Sequence, residues 1–324
     1  MIDTLRIYES DGVDPHRNLA IEQHLLESVL GGCCLLYLWQ NARTVVIGKN
    51  QNAWAECRTE ALFRDGGRLA RRLSGGGAVY HDLGNLNFTF LMREEDYDLD
   101  RQLSVIERAC RLLCVETARS GRNDVLADGR KFSGNAFYHH EGRAYHHGTL
   151  LVDVDADAMS RYLSPSKAKM QAKGVESVRA RVVNLKELNP AITVDALKDA
   201  MKQAFSEGYG LPVSAPPVID EERVRKLTAH YVSDEWLYGR KLPFTFRCES
   251  RFPWGGIELQ FSVDRGVITD AKVYTDAMDE RFASEAEAAL TGCRFSLAAI
   301  EARMNGSDVP HARDLYEMLT KQEI

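Results

Sequence analysis

The sequence predicts an α+β protein: a large domain with mixed, largely antiparallel sheets flanked by helices, then a small C-terminal α+β domain. Three observations predict it. Helical and strand patterns come in blocks rather than in strict alternation, which argues against a doubly wound parallel sheet. The stretch Asn123 to Asp155 breaks into strand-like segments at Asp128–Gly129 and Glu141–Gly142, two dipeptides suited to hairpin turns. After a loop around Pro216 and Pro217, apolar alternation restarts near Phe244. We therefore expect a large domain over 1–246 and a small one over 247–324.

In chain order, "VDPHRNLAIEQHLLESVLGG" predicts a helix capped by Asp14, with Pro15 in its first turn and Gly31 at its end. Leu19, Leu25, Leu26, Val29 and Leu30 give it an apolar face. The segments Leu35 to Trp39 and Thr44 to Gly48 predict a hairpin, and a short helix follows Trp54. A strand enters the run Gly75, Gly76, Gly77 and another leaves it. "HDLGN" is a turn and "LNFTFLM" a strand. Helices are expected over Arg101 to Arg119, with Leu103, Ile106, Cys110 and Leu113 on one side, and from Thr193 to Gly208. Beyond Phe244, Ile257, Leu259, Phe261 and Val263 alternate, Asp264 to Gly266 turn, Val267 to Tyr274 return as a strand, and helical periodicity runs from about Ser284 to the end.

The 324 residues are 44% hydrophobic and 27% charged, the balance of a globular chain that builds a core without staples. A formal charge of −6 disfavours a broad nucleic-acid surface. Seven scattered cysteines without a CxxC pair give no support to zinc or dithiol chemistry. Asp3, Arg6, Glu9, Asp11 and Asp14 break any apolar leader, and the longest apolar run, Cys33 to Trp39, is far short of the ~20 residues of a membrane span. The expectation is a cytoplasmic protein without membrane or nucleic-acid partners.

Four segments carry chemistry. "RRLSGGGAVYHD" places three glycines after Arg71 and Arg72. It is neither GxxxxGK[ST] nor GxGxxG. Its backbone N–H groups suit an anion nest beside an arginine; a tight bend approached by another strand would need the same glycines. In "GRNDVLADGRKFSG", Lys131 precedes Phe132 on a strand, so a core-facing Phe132 turns Lys131 to the opposite side. That side is either plain solvent or a site. Asn123 and Asp124 there suit Mg²⁺ or a ribose, or simply a turn. The pairs His139–His140 and His146–His147 invite a metal, yet in the predicted register His139 and His146 sit diagonally, roughly 7–8 Å apart, a poor zinc geometry. "AKMQAKGVESVRARVVNL" is basic, with a glycine at Gly174; it is either a solvated loop or one that closes over a phosphorylated ligand.

"RRLSGGGAVYHDLGN", "GRND", "GRKFSGNAF", "HHGTLL" and "KGVESVRARVVNL" together resemble lipoate–protein ligases of the two-domain bacterial type, in the biotin/lipoate ligase superfamily, in order and spacing over nearly the whole chain. "LNFTF" and Tyr80 are small departures. The resemblance implies a two-step reaction: ATP and (R)-lipoate, or octanoate, form an acyl-adenylate and pyrophosphate. The acyl group then passes to a lysine of lipoyl domains of 2-oxoacid dehydrogenase complexes or of the glycine-cleavage H-type protein. By resemblance, Arg72, Gly77, Ala78, Val79 and Tyr80 would hold ATP. Lys131 would be catalytic, touching both the nucleotide and lipoate. Asn85, Asn123 and Asp124 are further candidates for nucleotide contacts, Asp124 also for Mg²⁺. Arg72, Ser74, Gly75, Lys131, His147 and Gly148 would line lipoate. Lys173, Gly174, Arg179, Arg181, Val182 and Val183 would form a loop covering the adenylate.

The resemblance also frames the rivals. An acyltransferase of the same fold needs a nucleophilic thiolate near the acyl pocket. No cysteine lies between Cys114 and Cys248. A biotin–protein ligase would carry a GRGRxGR-type loop where this chain has "RRLSGGGAV". A non-catalytic protein that binds lipoyl domains is the third alternative.

Overall fold

The computed structural model describes residues 1–121, 123–164, 181–239 and 243–322. The described strands, in chain order, are β1 (Thr4–Glu9), β2 (Cys33–Trp39), β3 (Thr44–Ile47), β4 (Arg68–Arg71), β5 (Val79–His81), β6 (Asn85–Arg93), β7 (Ala118–Ser120), β8 (Asp124–Ala127), β9 (Arg130–His140), β10 (Arg143–Leu151), β11 (Phe246–Phe252), β12 (Gly255–Asp264) and β13 (Val267–Thr275). A seven-stranded sheet runs β1-β2-β6-β10-β9-β8-β7, parallel between β1 and β2 and antiparallel elsewhere. A small mixed sheet runs β4-β3-β5, and an antiparallel one runs β11-β12-β13. The expected α+β class with mixed, largely antiparallel sheets and a small C-terminal domain holds.

Both faces of the large sheet are covered, which is why β2 reads as an unbroken apolar run. Its Cys34, Leu36 and Leu38 join a core shared with the helices Leu99–Leu112 and Val194–Tyr209. Its Leu35, Tyr37 and Trp39 face the helices Pro15–Ser28 and Glu221–Tyr231. The small sheet packs Val45, Ile47, Leu69 and Tyr80 against Met159 and Tyr162. The C-terminal domain has its own core around Phe261, Val273, Phe282 and Leu315. No helix among the described residues is long and apolar enough to cross a membrane.

Three expectations change, and two helices are added. The segments around Leu35 to Trp39 and Thr44 to Gly48 are strands but not a hairpin, because β2 pairs with β1 and β6 whereas β3 pairs with β4 and β5. The loop between them is held by the first helix instead: Asn18 Nδ2 donates to the Gln40 carbonyl and the Ala42 N–H to Val13. The helix expected to reach Arg119 stops at Leu112. Cys114 takes a left-handed φ of 58°, the N–H groups of Cys114 and Val115 close on Arg111 and Cys110, and the chain leaves to form β7. The first helix ends at Ser28, before Gly31. The helices Glu221–Tyr231 and Asp234–Tyr238 had no counterpart in the sequence reading.

Candidate active site

The strand alternation around Lys131 builds one wall. Phe132 is fully buried in the large core, so Lys131 points away from it. The turn pairs fall as expected: Asp128, Gly129, Glu141 and Gly142 all have positive φ, the geometry of tight hairpins. In that register His139 lies opposite Ala144 and His146 opposite Phe137. His139 contacts Glu94, while His146 lies between Gln102 and Asn135, so the histidines belong to separate environments.

A cavity of about 650 Å³ opens over this wall. Lys131 Nζ meets Asp124 Oδ1 at 2.6 Å inside it, with both side chains about one-third exposed. Gly134 lets the ammonium lie flat on the strand, since a Cβ there would come within 2.8 Å of Nζ. Asn123 and Asn135 clasp each other across the neighbouring turn, each amide donating to the other's backbone carbonyl.

The opposite wall is the glycine loop between β4 and β5. Arg72 is buried, and its guanidinium holds the loop rather than projecting from it. Nη2 donates to the Gly75 and Gly77 carbonyls at 2.7 and 2.8 Å, Nη1 to Val46, and Nε to Ser74 Oγ. Burial lowers its pKa to about 10, so it stays charged at neutral pH. Ser74 Oγ also meets His147 Nε2 at 2.8 Å, and His147 Nδ1 meets Glu22 Oε1 at 2.9 Å. A carboxylate at Nδ1 fixes the proton there, so Nε2 accepts from the serine hydroxyl. Glu22 further accepts from Thr89 Oγ1 at 2.7 Å. Arg71, by contrast, serves the scaffold: its guanidinium donates to the carbonyls of Gly48, Lys49, Gln51, Trp236 and Leu237.

The small domain closes the third side. The Gly76 N–H donates to the Ala277 carbonyl at 2.9 Å, and a Cβ on Gly75 would collide with the Ala277 and Met278 carbonyls. Both readings of the glycines therefore meet: Gly75 serves close approach by another chain segment, Gly76 bonds that segment and also lines the cavity, and Gly77 lines the cavity.

The structure brings Arg72, Gly77, Ala78, Val79, Tyr80, Asn123, Asp124, Lys131, His147, Gly148, Arg181 and Val182 to this one cavity. Four candidates do not line it. Ser74 is buried behind Arg72 and His147. Gly75 faces the small domain. Asn85 is buried at the start of β6, donating to Asn87 Oδ1. Val183 is buried, its N–H donating to the Lys131 carbonyl at 3.0 Å. Lys173, Gly174 and Arg179 lie outside the described residues. Sequence reading missed Glu22, whose one signal is a carboxylate at helical spacing from Leu19 and Leu26. It also missed Arg251, Trp254 and Met278, which line the cavity from the small domain.

Residues 14–206, more than half of the chain, match the family described as the lipoyl protein ligase A/B catalytic domain. The chain belongs to this family. Residues 241–323 match the bacterial lipoate protein ligase C-terminus. Solved structures agree with the assignment of a ligase. LipL1 of P. falciparum, crystallised in complex with lipoate, superposes with a TM-score of 0.87 at 26% identity, covering 98% of this chain and 100% of its own. The bipartite lipoate protein ligase of Thermoplasma acidophilum, reported with its E2 lipoyl domain, gives 0.66 at 29% identity over 75% of this ligase and 99% of its own chain. A lipoate–protein ligase A bound with ATP gives 0.64 at 27% identity over 74% and 99%.

Proposed function

We propose that this ligase activates lipoate with ATP and then transfers the lipoyl group to a lysine of a lipoyl domain or of the glycine-cleavage H-type protein. The observation that carries the reading is the position of Lys131: one ammonium, oriented by Asp124, on the floor of a cavity between an apolar wall and a glycine loop. Relatives were solved with lipoate, with ATP and with a lipoyl domain.

In the first step a lipoate carboxylate oxygen attacks the α-phosphorus, an acyl–phosphate bond forms, and pyrophosphate leaves with the electrons of the broken P–O bond. Two anions must approach, and a fixed cation between them offsets their repulsion and stabilises charge developing at phosphorus. We assign that role to Lys131. Gly77, Ala78, Val79, Tyr80 and Asn123 would hold the nucleotide, with Arg72 shaping the loop. Arg72, His147 and Gly148 would border the lipoyl chain, Ser74 acting on it only through His147 and Arg72. In the second step an acceptor amine attacks the acyl carbonyl, AMP leaves, and the amine loses a proton; Lys131 would polarise the carbonyl. An acyl-adenylate must be kept from water, and Arg181 and Val182 border the cavity where a cover is needed.

Mg²⁺ would arrive on the ATP phosphates, where one or two protein carboxylates suffice; Asp124, whose Oδ1 meets Lys131 Nζ at 2.6 Å, is the side chain that would join it. No step here runs through the ion. We divide the chain at residues 246 and 247 and place the protein in the cytoplasm.

Pyrophosphate release from ATP, measured with lipoate, octanoate or biotin and no acceptor, tests the proposal. Lipoate-dependent release that falls by at least about 10²–10³ in Lys131→Ala is the expected result. Release from no acid would indicate a protein that performs only acyl transfer.

A further inference from the structure

Two buried polar side chains in the cavity wall each have one nitrogen without a hydrogen-bond partner. His81 is 3% exposed, and Asn87 is 1% exposed. Both line the cavity, and both have a nitrogen without a hydrogen-bond partner, Nε2 of His81 and Nδ2 of Asn87.

Their surroundings decide what they offer. Asn18 Nδ2 donates to Asn41 Oδ1 at 3.0 Å, which leaves Asn41 Nδ2 to donate to His81 Nδ1 at 3.1 Å. His81 Nδ1 is thus an acceptor, and burial keeps the ring neutral by lowering its pKa to about 3. The single ring proton sits on Nε2, as a donor. Asn85 Nδ2 donates to Asn87 Oδ1 at 2.9 Å, which leaves the Asn87 Nδ2 protons unmatched. Both groups flank Trp39: the His81 ring lies edge-on at 6.2 Å, and Asn87 is the cross-strand partner of Trp39. Leu19 and Val46 complete an otherwise apolar wall.

The place of Asn87 relative to Lys131 is set by register. Lys131 Nζ lies over Gly134, whose N–H donates to Thr149 Oγ1, and Thr149 pairs with Asn87. Two strand spacings, about 10 Å, separate the ammonium from Asn87. An acyl chain held by its carboxyl group at Lys131 therefore lays its far half beside these donors. Asn87 also falls in "LNFTF", the segment that departs from the family pattern.

We propose that Asn87, supported by His81, selects acyl chains that carry a hydrogen-bond acceptor in their distal half, and so disfavours plain octanoate. This rests on the lipoate reading of the cavity. When a chain displaces water, an unmatched buried donor is left uncompensated unless the chain supplies an acceptor. A dithiolane sulfur is a weak acceptor, and a carbonyl is a stronger one.

The test is kcat/KM for acid-dependent pyrophosphate release by the full chain, with lipoate, octanoate and 6-oxo-octanoate. The parent should use 6-oxo-octanoate about 10-fold better than octanoate, with lipoate also favoured. Asn87→Leu, close in size and apolar, should raise octanoate turnover and erase the preference for the oxo acid. Such a gain cannot come from damage to the fold. Should the variant not fold, the parent still decides: equal use of octanoate and 6-oxo-octanoate overturns the inference. So does an unchanged ratio in Asn87→Leu, while lipoate-dependent release in either case leaves the ligase reading intact. No release from any acid removes that reading and the inference with it.

Discussion

Glu22 and His147 meet at 2.9 Å although they are 125 residues apart, one on the first helix and one on β10. Both are almost fully buried. Through Ser74 the contact reaches Arg72, and through Arg72 the carbonyls of the glycine loop. A carboxylate in the core thus sets the shape of a loop it does not touch.

Glu22→Ala would strand His147 and Thr89 together. Removing one partner from a buried charged network costs about 3 kcal/mol or more, so the urea midpoint should fall with an unchanged m-value. Glu22→Gln retains an acceptor for His147 and should recover most of the stability. If the network shapes the nucleotide site, the glutamine variant should still show a raised KM for ATP. A normal KM in a stably folded Glu22→Gln protein would restrict the network to a structural role.

Asp124 holds Lys131 from one side at 2.6 Å. Asp124→Asn keeps the size and loses the charge that orients the ammonium. Misplacing a reacting group costs on the order of 10²-fold, so single-turnover adenylate formation should slow by about that factor while lipoate binding, followed by calorimetry, changes little. Full activity would show that Lys131 finds its position without this partner.

Gly75 lies against the small domain with no room for a Cβ. Gly75→Ala must push the Ala277–Met278 segment away and open the bond from the Gly76 N–H. The variant should have a larger radius of gyration in solution scattering than the parent, with both domains still folded by circular dichroism. An adenylate analogue that uses the same N–H should shift the parent profile too. Identical profiles in all three cases would disprove the coupling between loop and domain.

The legible parts of this molecule are those where local chemistry decides the outcome. Lys131 faces the cavity because Phe132 faces the core, a consequence of strand period alone. The turns at Asp128–Gly129 and Glu141–Gly142 follow from residues that tolerate positive φ. Partner choice was illegible: β2 and β3 are separated as hairpin strands would be, yet Asn18 pins their loop and each joins a different sheet. The helix end at Leu112 depends on Cys114 accepting a left-handed conformation, for which its residue type gives no warning. Arg251, Trp254 and Met278 reach the cavity only because two domains pack, and no local pattern encodes that. Glu22 was visible only as a charge within an apolar stripe.

His81 makes the fold sensitive to acid. Burial, reinforced by the nearby Arg72 charge, lowers its pKa from 6.5 to about 3. Between those values the unfolded chain binds a proton that the folded chain refuses. Stability is therefore complete above pH 6.5 and falls as the pH drops toward 3, by up to about 1.4 kcal/mol per unit from this group. His81→Gln carries no titrating ring and should lose less stability over the same window, even if it is less stable at pH 7. Urea titrations of both proteins at pH 7, 6, 5 and 4 give the comparison. Parallel stability curves would mean that His81 is protonated in the folded protein, and its Nδ1 could then no longer accept from Asn41.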